Sequence, residues 1–245
     1  MRGRFAADLY LAAIYQNMSS GYLAACYKQS MTAVIAFVSQ KGGVGKSTLA
    51  RALAREAAAS GLKVKIADLD PDQATIVDWH KVRVQRALEP SLSVELFRTV
   101  AQALASADGH DLLVIDGPAK ASGGTTEIAK KADLIVQPTG AARDDLNPAV
   151  RVFHGLVRLG VPHDRLIFAL NHIGTESEAE AARAFITEAG YLVLPGYLPE
   201  RPAYRLAQNE GCAVTETRFH GLKERADALI QSLIDKVAGG EVGHG

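Results

Sequence analysis

The run Gln40-Lys41-Gly42-Gly43-Val44-Gly45-Lys46-Ser47-Thr48 limits what this chain can become more than any other stretch. It stands between a short apolar run, 33–38, and an Ala/Leu-rich segment, 47–60, with helical spacing. Glycines lacking a Cβ let the backbone fold tightly, so that several N–H groups converge on one anion. A helix opening at Ser47 adds the positive end of its dipole. In such a loop Gly42, Gly43, Val44, Gly45 and Thr48 face phosphate oxygens, Lys46 neutralises the β and γ phosphates, and the Ser47 hydroxyl coordinates Mg²⁺. The common phosphate loop has glycine where Gln40 stands here, and an additional lysine, Lys41, precedes Lys46 by five residues.

A regular alternation follows the loop. Stretches 64–67, 93–97, 112–115, 134–137, 166–170 and 191–194 read as strands. Between and after them, 75–88, 100–107, 128–131, 148–159, 178–189 and 219–237 read as helical. Strands that are apolar throughout and separated by helices require a parallel sheet covered on both faces. The expectation is one α/β domain over residues 31–238, doubly wound and mostly parallel, with ligands at the carboxyl ends of its strands. Residues 1–30 read as an N-terminal extension and 239–245 as a tail.

Composition narrows the alternatives. Lys plus Arg equal Asp plus Glu at 27 each, so a nucleic-acid surface must be a local patch. Two cysteines, Cys26 and Cys212, support neither a disulfide framework nor a four-thiolate metal site. No apolar run is long enough to span a membrane, and the expectation is a cytoplasmic protein. Leu23-Ala24-Ala25-Cys26 has the look of a lipoprotein cleavage box. Asp8, Gln16, Asn17, Ser19 and Ser20 interrupt the apolar character a secretory signal needs, so Met31 reads as the functional start.

Two acidic motifs end strands. Asp68 and Asp70, at i and i+2, are expected to point the same way, toward the phosphate site. One of them capping the following helix is the alternative. Leu112-Leu113-Val114-Ile115-Asp116 has the form of a buried strand that delivers a single charge to a Mg²⁺-bound water.

Lys41 through Ser47 matches, residue by residue, the KGGxGK[ST] signature of the deviant Walker A ATPases, and the chain resembles that ParA/MinD family over about residues 33–237. The resemblance implies a P-loop fold and hydrolysis of ATP, with Mg²⁺, to ADP and phosphate. It implies a homodimer with ATP sandwiched at the interface, Lys41 reaching the partner's nucleotide. Carried over, Lys41, Lys46 and Asp70 are the catalytic residues, Asp70 orienting the attacking water. Ser47, Asp68 and Asp116 attend the metal, Asn171 reads adenine, and the loop from Pro199 to Pro202 closes over the base. Gly117-Pro118-Ala119 resembles the switch that reports the γ-phosphate. The family's second motif places Gln directly after its proline; here Asp72 intervenes before Gln73, which shifts the alignment after Pro71 by one residue.

The family resemblance implies a nucleotide switch that segregates or positions a cargo, slow by itself and stimulated by a separate centromere-binding or cargo adaptor protein. Its ATP dimer would bind non-specific DNA, and so associate with the nucleoid, through Arg201, Arg205, Arg218, Lys223 and Arg225. Glu200, Glu210, Glu216 and Glu224 lie among those bases, so a mixed solvated surface is the alternative. A conjugative-transfer helper, a protein-cargo positioning ATPase and a MinD-like membrane-cycling ATPase share the same signature. The stretch 238–245 has no apolar face for a membrane, and neither Cys26 nor Cys212 stands where an iron–sulfur reductase on this scaffold needs one. Thirty residues before the loop are too few for a separate DNA-reading domain.

Overall fold

The structure is a computed structural model that describes residues 32–118 and 123–237. The expected extension 1–30, the tail 239–245, Cys26 and Ala119 lie outside the described residues.

Among the described residues, the strands β1 (Ala33–Phe37), β2 (Val64–Asp68), β3 (Ser93–Leu96), β4 (Leu112–Asp116), β5 (Leu134–Thr139), β6 (Leu166–Ile173), β7 (Leu192–Val193) and β8 (Leu198–Pro199) form one sheet. The order is β3-β2-β4-β1-β5-β6-β7, and β8 pairs with β6 farther along the edge that β7 occupies. Every pairing is parallel. The helices α1 (Lys46–Ala59), α2 (Thr75–Gln85), α3 (Val100–Ala105), α4 (Gly123–Lys131), α5 (Arg143–Arg158), α6 (Glu176–Glu188), α7 (Pro202–Asn209) and α8 (His220–Val237) connect and cover the strands.

The strand pleat sorts side chains into two cores. Along β1, Ala33, Ile35 and Phe37 face a core completed by Leu49 and Leu53 of α1 and by Ala226, Leu229, Ile230 and Leu233 of α8. Val34, Ala36 and Val38 face the opposite core, with Phe153 and Leu156 of α5 and Ile186 of α6. Each fully buried Leu, Ile or Phe contributes about 1.5–3 kcal/mol, which is why these central strands carry no polar face. The chain leaves β1 for β2 and β3, returns to β4 beside β1, then continues to β5 on the other side of β1. A crevice therefore opens at the carboxyl end of β1, where the loop 38–45 sits.

Several boundaries depart from the sequence reading. Strands β2 and β4 each run one residue farther, so they end on Asp68 and Asp116 themselves. Strand β6 reaches Ile173 and takes Asn171 inside it rather than after it. Helix α5 begins at Arg143, which puts Pro148 within the helix. The proline costs the hydrogen bond that residue 148 would make to the Asp144 carbonyl, close enough to the open first turn to be tolerated. Strand β8 and helix α7 were not expected: a two-residue strand and an eight-residue helix show little periodicity, and Pro202 at the helix start reads as loop. Pro199 is accordingly a buried strand residue.

Candidate nucleotide-binding site

The phosphate loop is set by two glycines with positive φ, Gly43 at 77° and Gly45 at 104°. Gly45 is the N-cap of α1, and α1 has neither a side-chain cap nor an acidic residue in its first turn. Its free N–H groups and positive dipole end are therefore left open toward an anion. Ser39 Oγ accepts from the Lys41 N–H at 3.0 Å and donates to the Lys41 carbonyl at 2.8 Å, which folds the entry of the loop. From the other side Asn171 Nδ2 donates to the Val44 carbonyl at 2.8 Å. A Cβ on Gly45 would overlap the Asn171 amide, so this glycine is needed for space as well as for φ. Lys46 is buried at the head of α1.

Asp68 and Asp116 face each other in register across β2 and β4. Ser47 Oγ donates to Asp116 Oδ2 at 2.6 Å, and Asp116 Oδ1 is buried with no hydrogen-bond partner among the described residues. Burial pushes the Asp116 carboxyl up to about 7; Asp68 adds to the rise, while Ser47, Lys46 and Arg51 oppose it. Gly117 keeps the backbone close behind this acid, because a Cβ there would lie 2.7 Å from the Phe37 carbonyl.

The paired-carboxylate expectation for Asp68 and Asp70 needs correction. Strand β2 ends at Asp68, so the two acids are not on one extended segment. Asp68 is fully buried and caps the next helix, its Oδ1 accepting from the Asp70 N–H at 3.0 Å and its Oδ2 from the Ile76 N–H at 3.2 Å. Burial raises its pKa against the pull of those bonds. Asp70 lies in the turn, half-buried, with Oδ1 accepting from Gln73 N–H at 3.3 Å. Asp68 is thus the cap, and Asp70 is the more open carboxylate of the two.

Arg51, one turn after Ser47 on α1, was not singled out in the sequence. It lies buried over Trp79 at 5.3 Å, donates through Nη2 to the Thr75 carbonyl at 2.6 Å, and through Nη1 to Gln208 Oε1 at 3.0 Å. Burial lowers its pKa to about 10, with Asp116 and Asp68 opposing. Thr48 Oγ1 donates to the same Gln208 oxygen at 3.1 Å. The only local signal for Arg51 was its helical spacing from Ser47, which puts both on one face.

Lys41 is half exposed and forms an ion pair with Asp145 in the first turn of α5; that bond holds its pKa above the ordinary lysine value. The five basic residues proposed for DNA are exposed, Arg201 at the N-cap of α7 and the others on α7, α8 and the segment between them. Arg205 pairs with Glu200 and Lys223 with Asp227, while Arg218 and Arg225 lie over Phe219 and Tyr197. Arg201 donates to the Glu200 carbonyl at 2.8 Å.

With this geometry in place, comparison with known proteins is direct. The profile of the CobQ/CobB/MinD/ParA nucleotide binding domain matches residues 35–214. The chain belongs to this family. Maintenance of carboxysome distribution protein A from Gloeobacter kilaueensis is 28% identical over 192 residues, 78% of this chain and 88% of that one. The MinD cell division protein of Aquifex aeolicus superposes with a TM-score of 0.65 at 20% identity, over 83% of this chain and 97% of that one. A putative plasmid partition protein from Borrelia burgdorferi B31 bound to AMPPNP gives a TM-score of 0.64 at 16% identity, over 84% and 100%.

ATP and Mg²⁺ are the cofactors expected of a ParA/MinD-type domain, and the residues present fit them. The buried Asp116 Oδ1, without a partner among the described residues, is an acceptor suited to a metal-bound water, and the Ser47 hydroxyl oxygen beside it is of the kind Mg²⁺ takes. Among the described residues no three His, Cys, Asp or Glu side chains converge on one point.

Proposed function

We propose that this ParA/MinD-family chain is an ATP-driven dimerisation switch that positions a cargo, hydrolysing ATP to ADP and phosphate with non-specific DNA as its track. The observation that carries the reading is the division of labour between two lysines. Lys46 is buried at the head of α1, where it serves its own chain's phosphates. Lys41 points out of the same loop toward Asp145, half exposed. An exposed lysine drawn to a carboxylate of α5 is suited to the nucleotide of a second copy.

In this reading Lys41, Lys46 and Asp70 carry the chemistry, and Ser47 and Asp116 hold Mg²⁺, with Asp68 in support behind them. When bound, Mg²⁺ neutralises charge on the β and γ phosphates. The loop from Gly42 to Thr48 binds the phosphates with its N–H groups. Asn171 presents the remaining hydrogen and the oxygen of its amide to the base, and Pro199 follows Leu198, the residue that pairs with Asn171 across β6 and β8. A separate adaptor stimulates hydrolysis, and the ATP dimer associates with the nucleoid. The carboxysome-distribution relative and the plasmid-partition neighbour support cargo positioning as the class of task.

A second reading, in which the exposed bases of α7 and α8 meet a protein rather than DNA, is favoured by the carboxylates that already pair Arg205 and Lys223. Filter binding of plain duplex DNA distinguishes the two. Retention with ATP well above that with ADP supports the DNA track, and equal, weak retention rejects it. Among the described residues no helix is long and apolar enough to cross a membrane.

A further inference from the structure

The Ser47 hydroxyl has one proton and two lone pairs. Its proton is committed to Asp116 Oδ2 at 2.6 Å. A second hydroxyl, Thr75 Oγ1, stands 3.2 Å from Ser47 Oγ. Because the Ser47 proton is spent on the carboxylate, Thr75 is the donor in that contact. One lone pair of Ser47 then accepts from Thr75, and one tetrahedral direction is left for a cation.

From this arrangement we infer that Thr75 is a positioning residue of the magnesium site: its hydroxyl fixes the direction in which Ser47 presents its free lone pair to Mg²⁺. The inference rests on the ATP–Mg²⁺ reading of the loop and assigns a residue which that reading leaves out.

The surroundings of Thr75 hold it for this task from two sides. Its own hydroxyl is not needed as a helix cap, because the N-cap of α2 is Ala74 and the acceptor for the first turn is Asp68 Oδ2 on Ile76 N–H. Its carbonyl receives Arg51 Nη2 at 2.6 Å, from a guanidinium that is buried and seated over Trp79. The threonine is thus anchored by its backbone, and its hydroxyl is directed at Ser47. Removing that hydroxyl leaves Ser47 held by its bond to Asp116 alone, with its lone-pair direction no longer fixed from the Thr75 side, so its oxygen is preorganised for metal less of the time. Phosphate contacts made by loop N–H groups do not depend on it.

The test uses the full chain and a fluorescent N-methylanthraniloyl ATP, titrated with Mg²⁺ from EDTA. Thr75→Val is expected to bind the probe in EDTA within about twofold of wild type, yet to need about tenfold more Mg²⁺ for half of the metal-dependent gain. Thr75→Ser, which restores the donor, is expected to stay within about twofold of wild type. An unmoved Mg²⁺ midpoint in Thr75→Val overturns the inference. So does an equal loss of probe binding with and without Mg²⁺, which marks a purely structural residue. If the valine variant does not fold, the comparison of Thr75→Ala with Thr75→Ser gives the same readout. A wild-type chain without any Mg²⁺-dependent binding refutes the nucleotide–metal reading itself, a pattern distinct from normal wild-type behaviour with an unmoved variant.

Discussion

Asn171 on β6 donates its Nδ2 hydrogen to the Val44 carbonyl at 2.8 Å, tying that strand to the glycine-rich turn at the head of α1. The bond is buried, so deleting one partner leaves the other unsatisfied. Asn171→Ala is expected to lower unfolding stability by about 1–3 kcal/mol in urea titrations and to weaken ATP binding. Gly45→Ala is the more severe change. It forces a side chain onto φ 104° and into the Asn171 amide, and ATP binding is expected to vanish by calorimetry. Near-normal affinity in Gly45→Ala contradicts the loop geometry.

Asp68 and Asp70 are expected to separate cleanly. Asp68→Ala removes the acceptor of two backbone N–H groups and is expected to cost about 1–2 kcal/mol of stability. Asp70→Ala, in a half-buried turn, is expected to change stability by less than about 1 kcal/mol while abolishing phosphate release. Normal turnover in Asp70→Ala moves the water-orienting role elsewhere.

Stability without nucleotide is expected to depend on pH through the two buried acids. The folded pKa of Asp116 is raised from 3.8 to about 7, so near pH 5 the folded chain keeps a proton that the unfolded chain releases. The unfolded state then binds fewer protons, and stability falls as pH rises from about 4 to 7. Asp68, also raised, acts in the same direction. Thermal melts in EDTA are expected to show this slope. Asp116→Asn is expected to flatten it, and Mg²⁺ with ATP to offset the loss at pH above about 7.

The phosphate loop and the central strands were legible because their chemistry is local. Glycines, lysines and apolar runs announce themselves within a few residues. The expectation that Asp68 and Asp70 share one extended strand failed because the chain turns at Asp70 to return a helix onto Asp68, the capping alternative. Arg83 is 1% exposed, paired bidentately with Glu216 and stacked at 5.7 Å from Trp79. That pairing joins residues far apart in sequence, so no local pattern marks it. Thr75 and Arg51 escaped for the same reason: each matters through a neighbour that only the fold supplies. The short β8 and α7 carried too little periodicity to be seen.

Light scattering on the full chain with ATP, in the Asp70→Ala background that slows hydrolysis, tests the two-lysine account most directly. The mass is expected to double on adding ATP but not ADP, and a further Lys41→Ala change is expected to leave an ATP-bound monomer. A Lys41→Ala chain that still doubles its mass with ATP, or a parent chain that stays monomeric with ATP bound, contradicts the account.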